Sequence, residues 1–296
     1  MRQEQDLNFI KLQDACFWRA SSTWLLSIYP VVFFLALAIN ACLSSPLGAA
    51  TPGASDWVKG EKSRVRLISE GGLTSGIYWL GIEIELEGQA LTYWRNPGEA
   101  GLPPRFEFNS SRNLAKSEVL FPAPSRILEA GVEAFGYQRH VILPVKITPK
   151  LAAQSVAIDL QFSYAICENI CIPGQVHLQF ELFPNAPAQT GPLTLARQKV
   201  PVSVAAKDFV HIRPLPADKT KPLWSVDLIG KPEIGEDLFA EGPEGWYFDT
   251  ARASEQSFTL TLAEKPANGR FPLKDMVLTL ARPDRAFEMR LELPAP

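Results

Sequence analysis

Apolar and polar side chains alternate along residues 156–166, and the alternation returns at residues 176–182. Because successive side chains of a β-strand point to opposite faces of a sheet, this period of two predicts two strands that each bury one face. We expect the apolar set to face a core. Its members are Val156, Ile158, Leu160, Phe162, Tyr164, Ile166, Val176, Leu178, Phe180 and Leu182.

The matching faces predict an antiparallel hairpin with a defined register. If Phe162 lies opposite Val176, every apolar side chain falls on the same face, whereas a slip of one residue would reverse them all. This register places Cys167 directly opposite Cys171 on the polar face. Directly opposed residues have Cα atoms about 4.5–5.5 Å apart, which is within reach of a disulfide.

The remaining chain predicts an all-β protein. Turn-forming residues, including the Pro- and Gly-rich segment 96–104, separate short strand-like runs, a spacing typical of an antiparallel β-sandwich. Residues 185–192 have the composition of a linker. A second, smaller β unit follows at 193–296 and ends in a hairpin that turns at 282–285; one continuous sandwich is the alternative. The predicted strands are 64–68, 76–86, 90–94, 118–121, 141–147, 155–166, 172–183, 223–228, 245–248, 257–262, 276–281 and 286–293.

The first 50 residues are typical of an export signal. Basic residues precede an apolar run over 24–39, and small residues follow up to Ala50. Cleavage after Ala50 is the favoured reading, lipidation at Cys42 is a second, and an uncleaved membrane anchor is a third. Each would place the folded part, 51–296, outside the cytoplasm, so we expect a periplasmic protein.

Export would determine which of the four cysteines remain in the mature chain. Cys16 and Cys42 lie in the signal, so Cys167 and Cys171 are the pair expected in the mature chain, in a compartment where thiols oxidise. The net charge of −3 gives no reason to expect binding to nucleic acid. A structural bridge, a redox centre and a metal site remain open. Closing so short a ring stabilises a fold by only about 2 kcal/mol, which favours the redox reading.

Several motifs together resemble the N-terminal periplasmic domain of the DsbD thiol:disulfide reductases and their ScsB-type relatives. They are residues 93–104, 121–124, Gly136 with Tyr137, 143–145, and 164–174 around the two cysteines. The resemblance covers about half of 51–296. It implies an immunoglobulin-like domain, here residues 51–184, which exchanges thiols and disulfides with no cofactor beyond its own redox-active disulfide.

The resemblance also implies roles for individual residues. Cys171 would form the mixed disulfide with partners, and Cys167 would resolve it. Phe135, within the segment 129–137, would be the lid of an aromatic cap loop over the pair, with Tyr137 near it. Tyr93, Trp94 and Arg95 would lie at the rim of the site.

The implied activity is that of a protein-disulfide reductase component. Its electron donor would be a membrane-embedded thiol reductase of the DsbD or CcdA type, and its acceptors periplasmic thioredoxin-fold or disulfide proteins, in processes such as cytochrome c biogenesis or copper tolerance. DsbD itself continues into transmembrane helices and a thioredoxin-like domain, whereas this sequence continues into the second β unit. Two alternatives are a periplasmic copper- or zinc-binding module and a non-catalytic adaptor with a structural disulfide. His177 shares the polar face, but the register places it too far from the cysteines to share one ion.

Overall fold

The computed structural model describes residues 53–98, 101–129, 131–168, 170–216 and 221–296. The predicted signal segment, with Cys16 and Cys42, therefore lies outside the described residues. Within the described ranges, no helix combines the length and the hydropathy needed to cross a membrane.

The first domain is a sandwich of two sheets. One sheet has the strand order β1-β2-β3-β9-β6, and the other has the order β11-β10-β4-β8-β7, with β5 added against β10. The strands are β1 Val58–Gly60, β2 Ser63–Ser69, β3 Tyr78–Leu86, β4 Leu91–Gly98, β5 Arg105–Glu107, β6 Leu114–Val119, β7 Ser125–Glu129, β8 Val132–Gln138, β9 His140–Pro149, β10 Val156–Cys167 and β11 Cys171–Leu182.

Both sheets contribute alternate residues to one apolar core between them. Tyr78, Leu80 and Ile82 enter it from β3, while Leu160 and Phe162 enter it from β10, and all five are buried. This arrangement confirms the predicted all-β, immunoglobulin-like sandwich, with one core between its two sheets.

The predicted register of the β10–β11 hairpin is confirmed. Phe162 pairs with Val176, Leu160 with Leu178, and Cys167 with Cys171 at the tip. The even-numbered residues of β10 face the core, as the alternation predicts.

Residues 185–192, which the sequence predicts to be a linker, are bound to the first domain. The amide of Gly72 donates to the carbonyl of Ala186, and the amide of Gln189 donates to that of Glu70. Helix α1, Pro192–Gln198, follows directly and buries Leu193 among apolar side chains of β2 and β9. The chain between the domains is therefore fixed along its length by backbone hydrogen bonds and helix packing.

The second domain contains two four-stranded sheets around its own core, in the orders β12-β19-β18-β15 and β13-β14-β17-β16. The predicted turn at 282–285 is present, closed by a hydrogen bond from the amide of Arg282 to the carbonyl of Arg285. A short 3-10 helix spans Ala206–Asp208. The strands are β12 Val202–Ala205, β13 Val210–Pro214, β14 Leu223–Leu228, β15 Asp237–Glu241, β16 Tyr247–Ser254, β17 Ser257–Glu264, β18 Leu273–Ala281 and β19 Ala286–Leu293.

The segment interpreted as a cap loop has a different structure. Most of residues 129–137 form β8, which pairs with β7 on one side and β4 on the other. Residues 134–137 are buried on both faces of this strand, so the segment lacks the alternation by which a strand is predicted. Residues 132–137 therefore form a strand where the resemblance implies a loop.

Candidate functional site

A disulfide joins the end of β10 to the start of β11. Cys167 and Cys171 are directly paired residues of the hairpin, with Cα atoms 4.1 Å apart. The strand register thus brings the two thiols together independently of the bond between them. If the disulfide is reduced, the paired strands can hold both sulfurs close enough to re-form it.

The two cysteines differ in their exposure. Cys167 is fully buried because its strand is central: β4 lies on its other side, with Leu91 paired to it. Cys171 lies on β11, an edge strand, and is exposed. Attack by an incoming thiolate needs access to the sulfur, so Cys171 is the sulfur that a partner can reach.

Among the described residues, Tyr93 brings a polar group into contact with the disulfide. Its hydroxyl oxygen lies 2.8 Å from Cys167 Sγ and 3.3 Å from Cys171 Sγ, and the residue is only 2% exposed. Since disulfide sulfurs carry no hydrogen, the phenol must be the donor. The Tyr93 ring is covered by Gly101, where an added Cβ would lie 2.7 Å from ring carbons. Tyr93 is therefore fixed where it can donate to a thiolate formed on Cys167.

The charge nearest the pair in sequence is balanced. Glu168 follows Cys167 directly, and its carboxylate pairs with Lys62 and accepts a hydrogen bond from the Gln89 amide, at 3.3 Å. The hydrogen bond from Lys62 lowers the pKa of Glu168, and the same contact raises the pKa of Lys62. Both groups are thus charged at neutral pH, and Lys62 offsets a negative charge that would otherwise disfavour a thiolate nearby.

An apolar side chain stands at the tip of the hairpin. Ile170 directly precedes Cys171 and is 76% exposed. Ile170 therefore places exposed apolar surface beside Cys171.

The other predicted site residues lie on the opposite face of β4 and β8. Trp94, Phe135 and Tyr137 are buried in the core of the first domain, where the Tyr137 hydroxyl donates to the Pro122 carbonyl at 2.7 Å. Ala134 of β8 shares an apolar cluster with Cys167. Phe135 lies on the opposite face of β8, in the core and away from the predicted lid position, because adjacent residues of a strand point to opposite faces.

Arg95 faces the second domain instead of the cysteines. Its guanidinium binds Glu241 at 2.7 Å and Glu288 at 2.6 Å, and it lies over the Trp94 ring. Burial alone would lower the pKa of Arg95, but the hydrogen bonds and charges of the two carboxylates raise it. The Trp94–Arg95 pair belongs to an interface between the two domains, next to the strand residue that contacts the disulfide.

The histidine on the polar face of the hairpin lies away from the two cysteines. Among the described residues, no three His, Cys, Asp or Glu side chains are placed to share an ion. His177 pairs with Asp159, at 3.0 Å, and lies opposite Gln161, well along the hairpin from its tip.

Sequence reasoning missed Leu91 and Ala134, which share an apolar cluster with Cys167, and Lys62, which pairs with Glu168. Leu91 could have been found from strand alternation, since it shares a face with Tyr93. Lys62 is 106 residues from Glu168 and occupies a turn, where no periodic pattern could indicate its position.

The chain is similar to a known protein family and to a solved structure. Residues 69–182 match the family model of the thiol:disulfide interchange protein DsbD, N-terminal. The crystal structure of the N-terminal periplasmic domain of ScsB from Proteus mirabilis superposes with a TM-score of 0.66 at 17% sequence identity. That match covers 83% of this chain and 100% of the ScsB chain, so it includes the second β domain.

No curated protein sequence matches the chain. The family match contains both cysteines, Tyr93 and the strands that hold them, while the structural match extends the shared fold to the second domain. Residues 69–182 are therefore similar to the N-terminal domain of the DsbD thiol:disulfide interchange family, within a chain that has the fold of the N-terminal periplasmic domain of ScsB.

Proposed function

We propose that this protein is a periplasmic thiol–disulfide relay, a protein-disulfide reductase component in which the Cys167–Cys171 disulfide is the redox group. The observation that carries the proposal is the asymmetry of the pair. Cys171 is exposed on an edge strand, whereas Cys167 is fully buried with the Tyr93 hydroxyl 2.8 Å from its sulfur.

The reduction of the disulfide by its electron donor would proceed in two steps. A thiolate of the electron donor attacks Cys171 Sγ, a bond forms between them, and the Cys167–Cys171 bond breaks with its electron pair leaving on Cys167. The second thiol of the donor, as thiolate, then attacks the donor sulfur of the mixed disulfide and releases Cys171. The donor dithiol is oxidised to a disulfide, and the pair gains two electrons and two protons.

Reduction of a client reverses these roles. The Cys171 thiolate attacks the client disulfide, and Cys167 attacks Cys171 Sγ to resolve the mixed disulfide. Tyr93 assists in both directions, because a hydrogen bond to the Cys167 thiolate makes it a better leaving group in the first case and a more abundant nucleophile in the second.

The expected partners follow from the family resemblance. The donor would be a membrane-embedded thiol reductase of the DsbD or CcdA type, and the acceptors would be periplasmic thioredoxin-fold or disulfide proteins. Periplasmic location is supported by the export-type N-terminal sequence and by the fold shared with a periplasmic domain.

Trapping of the mixed disulfide tests the proposal. In a Cys167→Ala variant the resolving thiol is gone, so Cys171 should accumulate adducts with oxidised glutathione, seen by mass spectrometry, and with proteins of a periplasmic extract, seen as bands that a reductant removes. The matched Cys171→Ala variant should form few adducts because Cys167 is buried. Equal trapping by both variants, or none by either, would count against the assigned roles.

A further inference from the structure

Two neighbouring strands connect the disulfide to the second domain. On one face of β4 and β8, Tyr93 and Ala134 lie beside Cys167. On the other face, the next residues along each strand, Trp94 and Phe135, point into the core of the first domain. A displacement of either strand would therefore move the side chains on both of its faces.

The second domain contacts these strands through β15. Phe239 of β15 is fully buried, belongs to the core of the first domain, and lies edge-on to Phe135 at 5.0 Å and to Trp94 at 5.8 Å between ring centroids. Its neighbours add polar contacts: the Asn96 side chain donates to the Ala240 carbonyl at 3.0 Å, and Arg95 binds Glu241.

A second cation, on β7, also binds β15. Arg126 binds the Asp237 carboxylate at 3.0 and 3.1 Å, donates to the Leu238 carbonyl at 3.2 Å, and lies over the Phe135 ring. β15 thus contacts both strands that carry neighbours of the disulfide. The Phe239 ring packs against these strands, and ion pairs of Arg95 with Glu241 and of Arg126 with Asp237 lie on either side of Phe239 in the sequence of β15.

We propose that Phe239 is a positioning residue of the redox site, acting through Trp94 and Phe135 on Tyr93. This inference rests on the proposed function and assigns a role to the second domain. With Phe239 in place, β4 is held so that the Tyr93 hydroxyl reaches Cys167 Sγ. Without it, a cavity opens beside Trp94, β4 relaxes, and the hydrogen bond from the Tyr93 hydroxyl to Cys167 Sγ lengthens.

The test is a double-mutant cycle on the rate at which dithiothreitol reduces the oxidised protein. Loss of the Tyr93 hydrogen bond alone, in Tyr93→Phe, is expected to slow reduction about 3- to 10-fold. Phe239→Ala should slow it by about twofold or more, and the double variant should be no slower than Tyr93→Phe, because both changes remove the same hydrogen bond. The pKa of the Cys167 thiol, followed by thiolate absorbance, should rise in Phe239→Ala, a change that a merely structural role would not cause.

Matched variants separate positioning from general destabilisation. Phe258→Ala removes an equally buried ring from the core of the second domain and should leave the rate and the thiol pKa unchanged. Phe239→Leu, which keeps most of the apolar volume, should restore both. If Phe239→Ala does not fold, the double variant Glu241→Gln, Glu288→Gln takes its place. This variant removes both ion pairs of Arg95 and should slow reduction in the same way.

The outcomes distinguish this inference from the proposed function. A wild-type disulfide that dithiothreitol and glutathione fail to reduce would refute the relay itself. Normal reduction of the wild type, with Phe239→Ala reacting at the wild-type rate or with the effects of Tyr93→Phe and Phe239→Ala multiplying independently, would overturn only the positioning role.

Discussion

Replacement of Tyr93 by phenylalanine should slow thiol exchange without disturbing the fold. The change removes only the hydroxyl that donates to Cys167 Sγ at 2.8 Å. Because Tyr93 is 2% exposed, water cannot readily take its place. A hydrogen bond to a charged acceptor contributes about 1.5–3 kcal/mol, so its loss should raise the pKa of the Cys167 thiol.

The expected rate follows from that change in pKa. If the leaving sulfur responds with a Brønsted coefficient of about 0.5, reduction by dithiothreitol should fall about 3- to 10-fold. Stopped-flow kinetics on the oxidised protein measure the rate, and thiolate absorbance of the reduced protein against pH measures the pKa. Tyr164→Phe is the matched control, since it deletes a buried hydroxyl that bonds Ser63 on the core face of β10. An unchanged rate together with an unchanged thiol pKa in Tyr93→Phe would refute the reasoning.

Two further predictions concern charge. Lys62→Met removes the partner of Glu168 and should slow attack by thiolates about two- to fivefold at low salt. Lys59→Met, which removes an exposed lysine, is the control. A rate that does not change, or that changes equally at high salt, would argue against this role of Lys62. At Glu83, burial raises the pKa but hydrogen bonds from His140 and Arg66 outweigh it, so the folded pKa is lowered. The stability this carboxylate contributes is complete above its unfolded pKa of about 4.3 and is lost as the pH falls through the lower folded value. Glu83→Gln should therefore flatten the loss of stability below about pH 4.3 in urea titrations, with the more exposed Glu85→Gln as comparison; an unchanged slope would contradict this.

The cysteine hairpin could be predicted from the sequence because strand alternation alone determines it. The even-numbered apolar residues of β10 and β11 allow one register, and that register places Cys167 opposite Cys171. The same parity, applied to β4, would have placed Tyr93 and Leu91 beside the disulfide and Trp94 on the other face.

The positions of Phe135 and Arg95 could not be derived in the same way. β8 buries residues on both faces, so strand alternation neither identifies it nor shows which face Phe135 occupies. The partners of Arg95 lie 146 and 193 residues away, in the second domain. Such contacts arise from tertiary packing, which local periodicity does not encode.

The reduction potential of the purified protein tests the central claim most directly, that the Cys167–Cys171 disulfide is a redox group and not a structural bridge. It can be measured by equilibrating the protein in glutathione or dithiothreitol buffers and quantifying the oxidised and reduced forms by thiol alkylation. Structural disulfides of secreted proteins have potentials below about −300 mV, whereas exchange-active pairs lie above it. We predict a value above about −300 mV; a value well below that limit would contradict the account.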